Sequence, residues 1–301
     1  MSNEKDIAEK SFMNCDDVAA DAVNVAFFDG KSIVNQSELT DCVPTSQFIA
    51  NGKLSGQERD VVKYWSKGGA IIAVLGVENQ TKVDSDMPLR VISYDGASYK
   101  SQVLQHAAAS RDKAIAYIPP YPVFTLVVNF GNKPWDKPKS LLECIGEHNI
   151  PKEMRKYFND YRIFVLDLPA MSKEDISKFK SDMRAVAQVI HANNRKEPYE
   201  FDDKELVHPE ETLRVISALT KDDEFMEAYE KIIESGYEGG ISMCRVTTEI
   251  KQKGKQEGMM EMAAIIRAYR DSNSIEETAK TNNTSVEHVR SVLQMAGYLP
   301  A

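Results

Sequence analysis

Features that would mark a secreted, membrane-spanning or zinc-binding protein are missing from this sequence. The amino terminus, MSNEKDIAEK, has no apolar stretch of the length that a signal peptide needs. The longest apolar run, Ala70–Leu75, is far too short to cross a bilayer. We therefore expect a cytoplasmic protein with no membrane partner.

Cysteine and histidine are scarce, and both are scattered. The sequence has no Cys-x-x-Cys pair, no cysteine with a histidine neighbour, and no two histidines at helical metal-ligand spacing. This pattern predicts reduced thiols rather than a disulfide framework or a zinc site. The four cysteines are Cys15, Cys42, Cys144 and Cys244.

Basic residues are also fewer than acidic residues, and the chain carries a net charge of −9. A nucleic-acid-binding protein usually has a basic surface, so this value argues against such a partner at first sight. However, residues 200–238 hold 13 acidic and 4 basic side chains, and the rest of the chain has 33 of each. The acidity belongs to one segment, and a DNA partner stays open for the remainder.

What the sequence does contain is an alternation of helical and β-rich segments that predicts an α/β fold. Residues 16–27 have helical periodicity, and two β-rich runs follow around the turn residues 67–69. Asp86-Met87-Pro88 opens a further helix, which Gly96 could interrupt. The predicted elements are a helix at 16–27, strands at 59–65 and 70–77, a helix at 89–108, strands at 121–130 and 161–168, and a helix at 173–192 opened by Ser172.

Strand patterns end before residue 194, which suggests three units. They are an α/β domain over residues 1–199, an acidic helical segment over 200–240 and a helical carboxy-terminal unit over 241–301. The last unit resembles a helix-turn-helix, because Ser274 and Ser285 each cap a short helix that has a glutamate in its first turn. Met259, Met260 and Met262 are expected to pack within this unit.

The candidate catalytic residues lie at the open end of the predicted hairpin. The second run, AIIAVLGV, is apolar on both faces and ends abruptly at Glu78-Asn79-Gln80, while Asp60 lies near the start of the first run. Two converging carboxylates can hold Mg²⁺, and Gln80 shares a face with Glu78. This arrangement favours phosphodiester hydrolysis.

Strict hairpin register is an obstacle, because a turn centred near Gly68 would place Asp60 opposite Leu75 instead of Glu78. A β-bulge, for example at Gly76, would correct the register. The alternative is that Asp60 and Glu78 only solvate the strand ends. The buried run that leads into Glu78 favours a functional role.

Three stretches resemble the Rpn family of recombination-promoting nucleases and putative transposases. They are ERDVVKYW, VLGVENQTKVDSDMPLRVISYDGASYKSQV and YPVFTLVVNFGNKPWDKPKSL, and the likeness covers roughly residues 14–195. The resemblance implies a restriction-endonuclease-like αβββαβ core with a mixed sheet, of the PD-(D/E)XK superfamily, and metal-dependent DNA cleavage. By this resemblance Asp60 and Glu78 are the metal-binding acids, and Gln80 takes the position of the superfamily's lysine.

Further site candidates follow from the same comparison. The segment ADAVN resembles a family phrase with an acid followed by asparagine, which makes Asp21 a further acid near the metal, with an exposed helix acid as the alternative. Arg90 and Tyr94 lie one helical turn apart after the motif and could contact phosphate or organise the carboxylates. Ordinary packing is the alternative for both.

The leading hypothesis is a DNA endonuclease that uses Mg²⁺, or Mn²⁺ in its place, in recombination, mobile-element movement or defence. The first alternative is a catalytically inactive nuclease fold that binds nucleic acid or a protein partner. The second is a regulator dominated by the carboxy-terminal helix-turn-helix. Self-association through the carboxy-terminal helices is also predicted, because residues 241–301 carry only one excess positive charge.

Overall fold

The fold comes from a computed structural model of the chain, which describes residues 2–42, 45–50, 53–58, 60–80, 84–109 and 119–300. Within these ranges the strands are β1 (Leu39–Asp41), β2 (Thr45–Ala50), β3 (Lys53–Glu58), β4 (Val61–Lys67), β5 (Ala70–Gln80), β6 (Val123–Asn129) and β7 (Phe164–Asp167).

A five-stranded mixed sheet forms the centre, with the strand order β1-β4-β5-β6-β7. β1, β4 and β5 are antiparallel neighbours, whereas β5, β6 and β7 are parallel. β2 and β3 form a separate antiparallel hairpin. The apolar run of β5 explains its central place in the sheet. Successive side chains of a strand point to opposite faces, so a continuous apolar run is buried only where both faces are covered. The α/β fold with a mixed sheet is confirmed.

The hairpin of β4 and β5 has the bulge that its register requires, but at a different position. Gly68 and Gly69 make a two-residue turn with φ of 61° and 82°, a backbone that suits glycine. Ser66 pairs with Ile71, whereas Trp65 pairs with Ala73, so the extra residue is at position 72 and not at Gly76.

Eleven α-helices lie within the described part of the chain, together with four short 3₁₀ turns. The helices are α1 (Ser2–Met13), α2 (Asp16–Phe28), α3 (Met87–Ala109), α4 (Leu141–Ile145), α5 (Lys173–Ile176), α6 (Met183–Arg195), α7 (Pro209–Thr220), α8 (Glu224–Glu234), α9 (Met243–Ser272), α10 (Ile275–Thr281) and α11 (Val286–Met295). Gly96 does not interrupt α3.

The two faces of the sheet bury different side chains. Leu75 and Val77 of β5 belong to the main core, which α1, α2 and α6 cover. The residues that alternate with Leu75 and Val77 along β5 point to the opposite face of the sheet. On that second face Val127 of β6 packs with Met87 and Val91 of α3. Because Glu78 pairs with Val127 in register, Glu78 and Gln80 belong to the α3 face.

The single helix predicted over 173–192 is two helices, α5 and α6. Ser172 caps α5 through a hydrogen bond from the Asp175 amide, as its position suggested. The chain then breaks at 177–182, where Asp21 accepts hydrogen bonds from the Lys180 and Ser181 amides. These tertiary contacts offer the backbone an alternative to helical bonding.

The acidic segment shares the main core. Leu213 and Ile216 of α7 and Ile232 of α8 are at most 1% exposed and join the core formed by α1 and α2. The core therefore continues past the predicted boundary at residue 199. The three-unit division stays a prediction.

The carboxy-terminal helices have a small core of their own, formed by Ile265, Val289 and Leu293 with their neighbours. Ser274 and Ser285 cap α10 and α11 as expected. The expectation that the α9 methionines pack is wrong, because Met259 and Met260 are 61% and 71% exposed. Self-association through these helices stays a prediction.

Among the residues described, no helix combines the length and apolar character needed to cross a membrane.

Candidate active site

Asp60 and Glu78 lie at opposite positions at the open end of the β4–β5 hairpin. Val61 pairs with Val77, so Asp60, one step earlier, lies across from Glu78. The Oδ2 atom of Asp60 accepts a hydrogen bond of 2.7 Å from the backbone amide of Asn79. This bond fixes the Asp60 carboxylate beside the last residues of β5. The bulge at position 72 sets this register, because without it Asp60 would lie opposite Val77.

Glu78 is 1% exposed, although it is an acid at the end of a strand. Burying a carboxylate is costly unless an opposite charge or a metal compensates it. Arg90 of α3 supplies such a charge, with Nη2 at 3.7 Å from Oε2 of Glu78. A buried acid under a helix that carries arginine is typical of a functional site rather than of a solvated strand end.

Hydrogen bonds on two further sides hold the Arg90 guanidinium. Nη1 donates to Asp84 at 3.2 Å, and Nη2 donates to the hydroxyl of Tyr94 at 3.2 Å. Tyr94 is 8% exposed. The structure therefore places Arg90 beside Glu78, and Tyr94 supports the Arg90 guanidinium.

Lys10 of α1 occupies the other side of Asp60. Its Nζ lies 3.1 Å from Oδ1 of Asp60 and 3.1 Å from Oδ2 of Asp6, one turn earlier in the helix. Partial burial lowers the pKa of Lys10, but hydrogen bonds and charges from Asp6 and Asp60 outweigh it, so the pKa is raised. Lys10 is a cation at neutral pH.

Lys10, Asp6 and Asp84 were not among the residues that the sequence patterns pointed to. The Asp6–Lys10 spacing of four residues, with Ala8 and Phe12 buried at the same spacing, could have indicated a helix with an ion pair. Nothing in the sequence could have shown that Lys10 of this helix contacts Asp60, because the two residues are 50 positions apart.

Gln80 is the last residue of β5 and points to the same face as Glu78 by strand alternation. Its backbone carbonyl accepts a hydrogen bond from Phe130, which ties it to the end of β6. Beside it, the buried Asn129 donates to Asp167 at 2.8 Å. The carboxyl ends of the three parallel strands thus meet at the edge where Gln80 lies.

Asp21 lies elsewhere, in the middle of α2. Its Oδ2 accepts hydrogen bonds from the Lys180 amide, the Ser181 amide and the Ser181 hydroxyl, at 2.7 to 2.8 Å. The structure does not bring Asp21 into contact with Asp60 or Glu78 among the interactions of the described residues. Asp21 serves to bind α2 to the segment before α6.

The donor set of the hairpin end suits a hard cation. Asp60 and Glu78 present carboxylate oxygens, the ligands that Mg²⁺ prefers, and Mg²⁺ commonly uses only one or two of them beside water and phosphate. Across the described ranges, no group of three or more His, Cys, Asp or Glu side chains has metal-holding geometry. The two acids therefore fit Mg²⁺ bound largely through water and substrate.

Comparison with protein-family models identifies the family of the chain. The family model described as "Putative transposase, YhgA-like" matches residues 30–210, more than half of the chain. The matched span contains Asp60, Glu78, Gln80 and Arg90, whereas α1 with Lys10 lies before it. No curated protein and no solved structure matches the chain.

Proposed function

Since the chain belongs to the family of YhgA-like putative transposases, which are of the PD-(D/E)XK type, we propose that it is a Mg²⁺-dependent DNA endonuclease with Asp60, Glu78 and Gln80 at its active site. The observation that supports this proposal is the register of the bulged hairpin, which sets Asp60 across from Glu78, together with the hydrogen bond from the Asn79 amide to Asp60. A strand-end pair without function would have no need of a bulge that aligns its members.

Each side chain has a defined task in this reaction. Asp60 and Glu78 would hold Mg²⁺, which supplies Lewis-acid chemistry and lowers the pKa of bound water. The Gln80 amide would orient the attacking water by accepting its hydrogen bond. Arg90 keeps Glu78 in place and offers positive charge to the phosphate.

The bond changes are those of hydrolysis. The water oxygen forms a bond to phosphorus, and one of the two ester P–O bonds breaks. The departing deoxyribose oxygen takes a proton from solvent, and the proton of the attacking water is released to solvent. DNA is the expected partner because of the family, and recombination, mobile-element movement or defence is the expected setting.

The test is a time course of supercoiled plasmid loss with the full chain, Mg²⁺ or Mn²⁺, and an EDTA control. Asp60→Asn and Glu78→Gln are expected to reduce the rate by about 100-fold or more, because each removes a charged ligand worth several kcal/mol. Each variant is first checked for unaltered thermal unfolding. Folded variants that cleave like the wild type would disprove the site, and an inert wild type that still binds DNA would support the inactive nuclease fold instead.

A further inference from the structure

The proposed site concentrates negative charge that Gln80 cannot neutralise. Two carboxylates and a DNA phosphate bring at least three negative charges together, and Gln80 is a neutral amide. A cation aimed at the developing charge is among the largest contributions to hydrolysis of such a bond. Mg²⁺ and Arg90 would offset part of this charge. The strand position that carries lysine in the superfamily is neutral here, so any cation that replaces that lysine has to come from another part of the chain.

Two cations contact the carboxylates among the described residues, one for each acid. Arg90 lies on the Glu78 side and is held by Asp84 and Tyr94. Lys10 lies on the Asp60 side, with its Nζ 3.1 Å from Oδ1. Its side chain is 34% exposed and that of Asp60 is 14% exposed, so solvent reaches both partners of this ion pair.

The position of Lys10 is fixed rather than incidental. Ala8, Phe12 and Met13 of α1 are at most 2% exposed and belong to the main core. Asp6 adds a contact of 3.1 Å from the preceding turn. A surface lysine without such support would lose rotamer entropy on pairing and gain little from it.

We propose that Lys10 supplies the positive charge that Gln80 lacks, so that the cation of the active site comes from the first helix instead of from the strand. This inference rests on the proposed nuclease function. Lys10 stabilises the charge that grows on the phosphate, and Asp6 positions its ammonium. The site is then completed by a helix that lies outside the residues matched by the family model.

The chain offers a matched control for this lysine. Lys253 is 36% exposed and contacts Glu227 of α8 and Glu257 of its own helix. Lys10 likewise contacts one acid outside its helix, Asp60, and one within it, Asp6. It lies on α9, outside the proposed site. Lys253→Gln removes the same charge from the same kind of ion pair.

The experiment compares Lys10→Gln, Lys10→Met, Lys253→Gln, Gln80→Lys and the double variant Lys10→Gln/Gln80→Lys in the full chain. The readouts are the rate of plasmid cleavage at saturating DNA and Mg²⁺, the Mg²⁺ affinity by calorimetry without DNA, and thermal unfolding. We expect Lys10→Gln and Lys10→Met to lower the cleavage rate by about tenfold or more, since a stabilising group aimed at developing charge is lost. Lys253→Gln should leave it unchanged.

Two results separate a charge role from a structural one. Mg²⁺ affinity should hold or rise in Lys10→Gln, because a competing cation leaves Asp60, and the double variant should recover most of the lost rate. A Lys10→Gln protein that cleaves like an active wild type would overturn the role of Lys10 alone. Loss of Mg²⁺ affinity and stability without rescue by Gln80→Lys would also overturn it, in favour of a structural role. An inert wild type would overturn the proposed function itself, and this inference with it.

Discussion

The carboxylate of Asp60 accepts a 2.7 Å hydrogen bond from the backbone amide of Asn79, which joins the start of one strand to the end of its neighbour. An asparagine at position 60 could still accept that bond through its amide oxygen. The charge of Asp60 can therefore be removed with little damage to the hairpin. Metal binding at Asp60 can therefore be tested without a nuclease assay, by removing the charge of this residue while keeping its hydrogen bond to Asn79.

Mg²⁺ should stabilise the wild-type fold and fail to stabilise the charge-removed variants. A ligand at 100 times its Kd adds about 2.7 kcal/mol to the free energy of unfolding. The melting temperature of the wild type is thus expected to rise by several degrees with Mg²⁺ in differential scanning calorimetry. Asp60→Asn and Glu78→Gln should show almost no rise, and a wild-type-sized shift in both would place the metal elsewhere.

Asp21→Asn should behave in the opposite way. Its oxygen accepts three hydrogen bonds, so the variant is expected to lose roughly 1–3 kcal/mol of stability. The shift in melting temperature caused by Mg²⁺ should remain. If the Mg²⁺ response disappears while the protein stays folded, Asp21 is the additional metal acid that the family resemblance implied.

Gln80→Ala should weaken cleavage less than either acid variant, by about tenfold. The amide is proposed to orient water and not to bind the metal by charge, so only a positioning contribution is lost. Plasmid cleavage and Mg²⁺ calorimetry on the same preparation check this together. A loss as large as that of Glu78→Gln, accompanied by weaker Mg²⁺ binding, would make Gln80 a metal ligand instead.

Truncation should separate the helices that complete the main core from those that do not. A chain ending at residue 199 loses Leu213, Val215 and Ile216, which are fully buried, and is expected not to unfold cooperatively. A chain ending at residue 273 loses only α10 and α11, with their separate small core, and should melt close to the full chain. Thermal unfolding of the two truncated chains, followed by circular dichroism, distinguishes them. A stable 1–199 chain would show that the predicted boundary is correct.

The sequence was informative where the pattern is local. The hairpin and the cap at Ser172 follow from apolar runs, turn glycines and a serine before a helical pattern. The opposite positions of Asp60 and Glu78 follow from the hairpin register, and their joint role in catalysis stays a prediction. The bulge was expected but its position was not, because position 72 lies in an uninterrupted apolar run that gives no indication of an extra residue.

The remainder depends on contacts between distant parts of the chain. The break between α5 and α6 follows from Asp21, about 160 positions away. The pairing of Lys10 with Asp60 joins the first helix to the hairpin. Neither contact produces a periodic pattern in the sequence, because an ion pair or a side-chain cap needs only one residue from each segment.

The extra residue in β5 makes the length of this hairpin part of the active site. Deleting one residue between Ser66 and Ala73 would turn every later side chain of β5 to the opposite face, so that Asn79 would take the place of Glu78 against α3. Relatives that keep the acid pair should therefore tolerate changes of side chain in this stretch while admitting no gap within it. An alignment in which the spacing from Asp60 to Glu78 stays constant would be the evolutionary record of that constraint.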